Sequence, residues 1–582
     1  MASKWETKRT DANLPLMSQV LGVSETTARC LANRGLRTKN SALAFIRPDA
    51  RRLCDIACMP DAQKALDRIA AAIEKKERII VFGDYDVDGI TSTVILSKVL
   101  GRLGADCGYH MPHRMREGYG MSAGAIRKIA GEGAGLVVAV DNGVSALDEI
   151  ALANELGLDV IVVDHHEPRF DFGDGGRRDI LPPAYAMLDP KTADNCYPFK
   201  EICAAGLSYK LAEALCRRMG ADFREKDELL TLAAIATICD IVPLLGENRV
   251  LVQLGMKIFN ENKFVNPGLG SLLENRGYLD RTLDTFSVGF VVGPCLNATG
   301  RLETASLAVE LMMADDPKTR GELAEELARL NGERRSLTQT CVDRLMAALP
   351  EELPKVLVLT DTDAHESVAG IAAGRVKDAT GRPTILLTLG DGAMKGSGRS
   401  IEKYNIFEAM LAHRHLFVKF GGHAMACGLT MPESNVEALR EGLNADCGLS
   451  EEDFLPVTRL ECELGLAEIS LGLAEELALL APYGKGNDEP VFASFGLYAE
   501  TVRVLNEKNT LIFSFSQGGA RVKGVAFCKN ELYEKLAHEA GVNKHGGFLM
   551  DAAYTIETNE WQGARSAQLK LRDFRIMPGA RR

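Results

Sequence analysis

Three short apolar runs, each closing on an acidic residue, constrain this chain more than any other feature. Arg78-Ile79-Ile80-Val81-Phe82 leads into Gly83-Asp84-Tyr85-Asp86-Val87-Asp88-Gly89. Leu136-Val137-Val138-Ala139-Val140 ends in Asp141-Asn142-Gly143, and Val160-Ile161-Val162-Val163 ends in Asp164-His165-His166. Short β-branched runs separated by amphipathic stretches read as strands of a parallel sheet buried on both faces. Open sheets of this kind bind ligands at the carboxyl ends of their strands. Carboxylates gathered there repel one another unless a cation neutralises them, so a divalent-metal site is expected. A metal pair activating water against a phosphoester is the chemistry such a site suits.

Asp84, Asp86 and Asp88 are spaced by two, which in extended backbone turns all three carboxylates to one side. The alternative is a polar loop whose aspartates cap the following helix. Adjacent His165 and His166 point apart, so one imidazole can bind metal while the other protonates a leaving oxygen. Oxygen and imidazole donors together favour Mn²⁺ or Mg²⁺ over a structural zinc. Asp240 lies inside an apolar run, Ile238-Cys239-Asp240-Ile241-Val242, where a carboxylate is costly to bury unless paired or metal-bound. Lys395 to Ser400 and Phe420 to His423 read as glycine-rich loops that let backbone amides approach an anion, with Ser397 and Arg399 adding donors. Ordinary turns would look the same. Asn297-Ala298-Thr299-Gly300-Arg301 is turn-like and offers an arginine suited to bidentate phosphate contact.

At 582 residues the chain exceeds a single hydrophobic core. The patterns predict a helical region over 1–75, a parallel-sheet domain over 76–250, a helical linker region over 251–350, a second α/β domain over 351–445 and a β-barrel over 455–578. The charged amphipathic stretch around Glu322 to Leu330 is a surface helix or one that bridges two domains. No apolar stretch is long enough to span a bilayer, and the polar N-terminus has no signal-peptide core, so a cytoplasmic protein is expected. The 14 cysteines include no Cys-x-x-Cys pair, which favours plain thiols over zinc ligands or a disulfide framework. A net charge of −12 neither requires nor excludes a nucleic-acid groove, because only the local field along a groove matters.

Taken together the motifs resemble the DHH phosphoesterase superfamily and, within it, the RecJ family of single-strand-specific DNA exonucleases. Glu117-Gly118-Tyr119-Gly120, Asp240 to Arg249, Asn297 to Leu302, Phe420 to Ala426 and Pro482 to Asn487 join the strand-end motifs in that resemblance, which runs from about residue 20 to 575. It implies a parallel-sheet DHH domain and a DHHA1-like α/β domain joined by a long helix, plus a C-terminal OB-type barrel whose Tyr554 and Trp561 could stack bases. Asp86, Asp88, Asp141, His165 and Asp240 match ligands of two ions, Mn²⁺ or Mg²⁺, with Asp141 bridging. Phe82 stands where many superfamily members carry histidine, so Asp84 is expected to supply the missing ligand. His166 matches the residue facing the scissile phosphate, with Asp164 beside it in the catalytic pair. Arg114, Asn297, Arg301, Ser397, Arg399, Gly421, Gly422 and His423 match substrate contacts.

The chain departs from the family pattern at Cys295 (often arginine), at His365-Glu366-Ser367, and at Gly398 (commonly alanine). The implied activity is metal-dependent 5′-to-3′ degradation of single-stranded DNA to mononucleotides in repair and recombination. A monomer is implied, with a helicase and a single-strand-binding protein as partners and no membrane. The alternatives are a DHH phosphodiesterase for short oligonucleotides or cyclic dinucleotides, and an inactive single-strand-binding scaffold.

Overall fold

Five parallel strands, in the order Cys107–His110, Arg78–Phe82, Ala134–Val140, Asp159–Val163 and Ala186–Leu188, form the sheet that carries the acidic motifs. Alternate side chains serve opposite faces. Ile79, Val81, Val138, Val140, Ile161 and Val163 pack with helices Val87–Arg102, Ala204–Arg218 and Lys226–Cys239. Ile80, Phe82, Val137, Ala139, Val160 and Val162 pack with helices Ala123–Gly131 and Leu147–Glu155. Both faces are dry, which is why the strands read as unbroken apolar runs; each fully buried side chain contributes roughly 1.5–3 kcal/mol. Because the strands are parallel, Asp84, Asp141, Asp164 and Asp189 all emerge at the same edge.

The computed structural model describes residues 3–113, 117–118, 120–173, 176–390 and 392–578. They fall into two compact units, Ala50–Phe454, and Met1–Asp49 together with Leu455–Arg582. In the larger unit the 31-residue helix Pro317–Ala347 buries Ala324 and Leu327 in the core beneath the parallel sheet. Further along, its Cys341, Val342 and Leu345 pack with Leu357, Ala372 and Val376 under a second sheet. The helix therefore bridges two cores. The second sheet runs Lys419–His423, Ala426–Met431, Ala393–Arg399, Thr384–Gly390, Leu357–Thr360, with only the last pair parallel.

Both segments read as glycine-rich loops are strands of this sheet. A Cβ on Gly396 would meet Leu387 Cδ2 at 2.6 Å, and one on Gly398 would meet Cys427 Sγ at 2.5 Å. These glycines make room for cross-strand neighbours. Since Ala393–Arg399 is paired on both edges, its backbone amides are committed to the sheet.

In the smaller unit five strands close a barrel in the order Phe492–Leu505, Thr510–Gln517, Ala520–Phe527, Ala564–Ile576, Phe548–Trp561. Helix Asn530–Glu539 precedes the fourth strand in chain order, an OB-type arrangement. The region expected to be helical through residue 75 opens with a strand, Lys4–Thr7, parallel to Val457–Leu460. It also divides at Asp49. Leu14, Leu31 and Phe45 share a core with Phe513 and Phe548 of the barrel, whereas helix Ala62–Lys75 sends Ala65 and Ile69 under the parallel sheet. No helix among the described residues is long and apolar enough to cross a membrane.

Candidate metal centre

The Asp141-Asn142-Gly143 turn shows how the strand ends are shaped. Asp141 adopts φ 62°, a left-handed conformation that costs most residues energy but that aspartate tolerates. Asn142 Nδ2 donates to the carbonyls of Phe82 (3.2 Å) and Val140 (2.9 Å), stapling two strand ends together. Gly143, at φ 113°, lets the chain turn close over Val162. Asp141 is thereby held with Oδ1 3.2 Å from His165 Nε2.

The three aspartates at 84, 86 and 88 do not lie along extended backbone. Asp86 caps helix Val87–Arg102, accepting from the Asp88 and Gly89 amides, so Asp88 falls in the first helical turn and faces another way. Its two oxygens accept from Ala204 N (2.8 Å) and Ala205 N (2.7 Å) at the start of helix Ala204–Arg218. Asp88 Oδ2 also lies 3.5 Å from His165 Nε2, and Asp240 Oδ2 lies 3.6 Å from the same nitrogen. Asp240 caps the C-terminus of helix Lys226–Cys239. Three overlapping donor groups result: Asp84, Asp86 and Asp141; Asp88, His165 and Asp240; Asp141, His165 and His166.

Two observations fit a cation here. Asp240 Oδ2 is buried with no hydrogen-bond partner among the described residues. Burial, followed by His166, pushes His165 down to about 3, so its imidazole is neutral and able to coordinate. Burial first and then neighbouring carboxylates push Asp88 up to about 7 and Asp240 up to about 8, and raise Asp141 well above the ordinary range. Carboxylates crowded and buried in this way gain most from a cation placed among them.

A pH dependence follows. A carboxyl raised on folding opposes folding once it must ionise; this cost is absent below about pH 3.8 and grows as pH rises through 7 to 8. A divalent ion replaces the protons and removes the cost, so the rise in Tm caused by Mn²⁺ should be larger at about pH 8.5 than at about pH 6. Calorimetry at the two pH values checks this; an equal or smaller rise at the higher pH contradicts it.

Asp164 plays a different part from the other aspartates. It accepts from His166 Nδ1 (2.8 Å), from the amides of His165 and His166, and from Val144 N (3.0 Å). Burial works to raise it, but His166 holds it below the ordinary carboxylate range. Burial likewise opposes charge on His166, yet the Asp164 bond pushes that imidazole up to about 9. Its side chain is 44% exposed, against 2% for Asp141. His166 thus has Nδ1 committed to Asp164, a partner that favours the protonated imidazole.

The pattern of strand-end aspartates extends to Asp189, buried after Ala186–Leu188, which sequence reasoning missed because that strand has three residues. Lys191, two residues on, also escaped notice; its charge acts on His165, Asp189 and Asp240.

A cavity of about 320 Å³ in the same unit collects Arg301, Ser397 and Arg399, together with Lys395, Thr388 and Gly370. Arg399 Nη1 donates to Ser397 Oγ at 3.0 Å, and Lys395 pairs with Glu366 at 3.0 Å. Ala369 and Gly370 begin helix Ala369–Thr380, so the positive end of a helix dipole joins the basic side chains. A Cβ on Gly370 would lie 2.7 Å from Arg399 Nη2 and 2.8 Å from Ser397 Oγ, so the glycine leaves room for both side chains in the cavity.

Asn297 is not among the cavity's lining. Its Oδ1 accepts from Val87 N at 3.1 Å, tying helix Gly293–Leu302 to the acidic loop, while Arg301 of that helix donates to Ser367 O at 2.8 Å. Gly421, Gly422 and His423 are exposed on an edge strand and do not line the cavity. Arg114 lies outside the described residues. Cys295 is fully buried and takes a hydrogen bond from Asn331 Nδ2 (3.3 Å), so it packs where an arginine was expected.

Comparison with known proteins decides the relationship. Residues 78–237 match the DHH family N-terminal domain, 353–448 the DHHA1 domain and 460–573 the RecJ OB domain. The single-stranded-DNA-specific exonuclease RecJ of Bacillus subtilis strain 168 is 34% identical over 99% of this chain and 71% of its own length. The Escherichia coli K12 protein of the same name is 32% identical over 93% of this chain and 94% of its own. The chain belongs to the RecJ family. The crystal structure of Thermus thermophilus RecJ with Mn²⁺ matches with a TM-score of 0.80 at 30% identity, covering 99% of this chain and 80% of that one. The Mg²⁺ complex of the same RecJ matches with a TM-score of 0.75 at 28% identity over 99% and 79%.

Proposed function

We propose that this chain is a metal-dependent exonuclease that degrades single-stranded DNA from its 5′ end to mononucleotides in DNA repair and recombination. The observation that carries the reading is the carboxylate of Asp141, shared by two donor groups and set beside a charged His166 that Asp164 holds in place. Asp84, Asp86, Asp88, Asp141, His165 and Asp240 would hold two divalent ions. Such ions, when bound, activate water and neutralise charge on the phosphoryl group.

The chain's own residues do the rest. Asp164 fixes the orientation and charge of His166, so proton delivery to the leaving oxygen falls to its Nε2. Asp88 anchors helix Ala204–Arg218 through two amides and so keeps the acidic loop in register with that helix. Asn297 and Arg301 share one rigid helix, which ties the acidic loop to the basic cavity. A terminal phosphate dianion in that cavity gains more from clustered cations and a helix N-terminus than an internal diester does. Fixed separation from the metal centre then makes cleavage terminal.

Replacing Arg399 tests the cavity's role. Arg399→Ala should reduce the preference for 5′-phosphate over 5′-hydroxyl strands by about tenfold or more, the usual scale for a charge-assisted bond, while metal affinity stays the same. An unchanged preference would remove Arg399 from end recognition.

The barrel suits a track for long single strands. Of its two candidate stacking residues, Tyr554 is fully buried with its hydroxyl 2.5 Å from Ser494 Oγ and does not offer its ring to a base; Trp561 is 71% exposed and does. A phosphodiesterase for dinucleotides has no need of such a track, and an inactive scaffold has no need of the complete donor set. A monomeric state, and a helicase and single-strand-binding protein as partners, accompany this reading through the family resemblance; a cytoplasmic location belongs to the same proposal.

A further inference from the structure

Phe286 and Phe290 are among the most exposed large apolar side chains of the molecule, at 63% and 68%, and they stack on each other with centroids 4.6 Å apart and planes 25° from parallel. They lie where helix Thr285–Ser287 passes into a π-helical turn, Val288–Val292, which runs on into helix Gly293–Leu302. Turns of this kind are frequent at functional sites. Four-residue spacing puts the two rings on one face.

The glycine side of the segment faces protein. A Cβ on Gly293 would meet Cys239 Sγ at 2.5 Å, and one on Gly289 would lie 4.0 Å from Ile238 Cγ2. The segment is therefore seated on the last turn of helix Lys226–Cys239, immediately before Asp240. Asp240 and His166 have side chains 20% and 44% exposed, against 7% or less for His165, Asp88 and Asp141, so the metal centre is open on their side. One continuous segment thus carries the exposed rings, Asn297 at the acidic loop and Arg301 at the basic cavity.

We propose that Phe286 and Phe290 form a base-stacking platform for the single strand next to the metal centre, on the Asp240 side. This rests on reading the chain as a single-strand exonuclease. Continuity with the metal centre names the occupant: a strand threaded past Asp240 meets these rings next. Every nucleobase has a flat π face, so the platform holds bases without reading their sequence, and it has nothing to grip in a duplex whose bases are stacked inside. It would set selectivity for unpaired strands at the point of entry.

The test uses the full chain, the double variant Phe286→Ala/Phe290→Ala, and 5′-phosphorylated strands that each carry one abasic site at successive positions from the 5′ end. With Mn²⁺ and an undamaged strand, the variant's KM should rise about tenfold, the scale expected for losing one stacked base. In the unaltered protein at least one abasic position should raise KM similarly, and at that position the variant should show no further loss. Two results would overturn the platform while leaving the nuclease reading intact. One is a variant with the KM of the unaltered protein, which would point to a protein partner for the rings; the other is a variant as sensitive to every abasic position as its parent. Failure of the unaltered protein to cut any strand would overturn both.

Discussion

Asp141→Asn should lower the cleavage rate by about 10⁴-fold or more while leaving the protein folded. The size of the effect follows from position. The Asp141 carboxylate belongs to two of the three donor groups, and the third shares His165 with one of them, so its loss removes a donor from more of the centre than any other aspartate would. Asparagine is the informative replacement because, like aspartate, it tolerates the φ of 62° at this turn, which alanine would strain. The same substitution removes a buried carboxylate that burial, Asp88 and Asp86 force upward, so the metal-free variant should melt at or above the temperature of its metal-free parent. Near-normal turnover, or a metal-free Tm well below the parent's, contradicts the role assigned to Asp141.

His166→Ala should cost about 10²–10⁴-fold in rate and leave the metal content unchanged. Its Nδ1 is bound to Asp164 and its side chain is the most exposed of the Asp141, His165 and His166 group, the two features on which its proposed role at the substrate rests. Asp164→Asn should reproduce most of this loss, since the partner that keeps His166 charged is then gone. Metal content measured on purified His166→Ala decides the assignment. If bound metal falls in step with activity, His166 is a ligand, as its place 3.9 Å from Asp141 Oδ1 would allow.

Much of this geometry is legible in the sequence because strands buried on both faces leave a simple trace. Each apolar run ends where the sheet ends, so the positions of Asp84, Asp141 and Asp164 already mark a common edge. Ala186–Leu188 leaves no such trace at three residues, and Asp189 went unnoticed with it. The aspartate triplet misled because its spacing of two suggests a strand, whereas Asp86 ends the loop and starts a helix.

Glycines misled in another way. Gly396 and Gly398 look like loop glycines, but their need is set by Leu387, Leu429 and Cys427 on neighbouring strands, residues distant in sequence. The helix N-terminus at Ala369 and Gly370, which completes the basic cavity, lies under the unfamiliar His365-Glu366-Ser367 stretch. Packing of Leu14, Leu31 and Phe45 against the barrel joins segments more than 400 residues apart, and no local pattern encodes it.

Labelled single strands provide the most direct test of the central claim. A strand bearing a 5′-terminal label and the same strand labelled at its 3′ end are incubated with the purified protein, once with Mn²⁺ and once with chelator, and the products are resolved by size. The expected result is release of the 5′ label as a mononucleotide from the earliest time points, with the 3′-labelled strand shortening progressively, and no reaction in chelator. Cleavage that persists in chelator, a 3′ label released first as a mononucleotide, or internal fragments without terminal mononucleotides would contradict it.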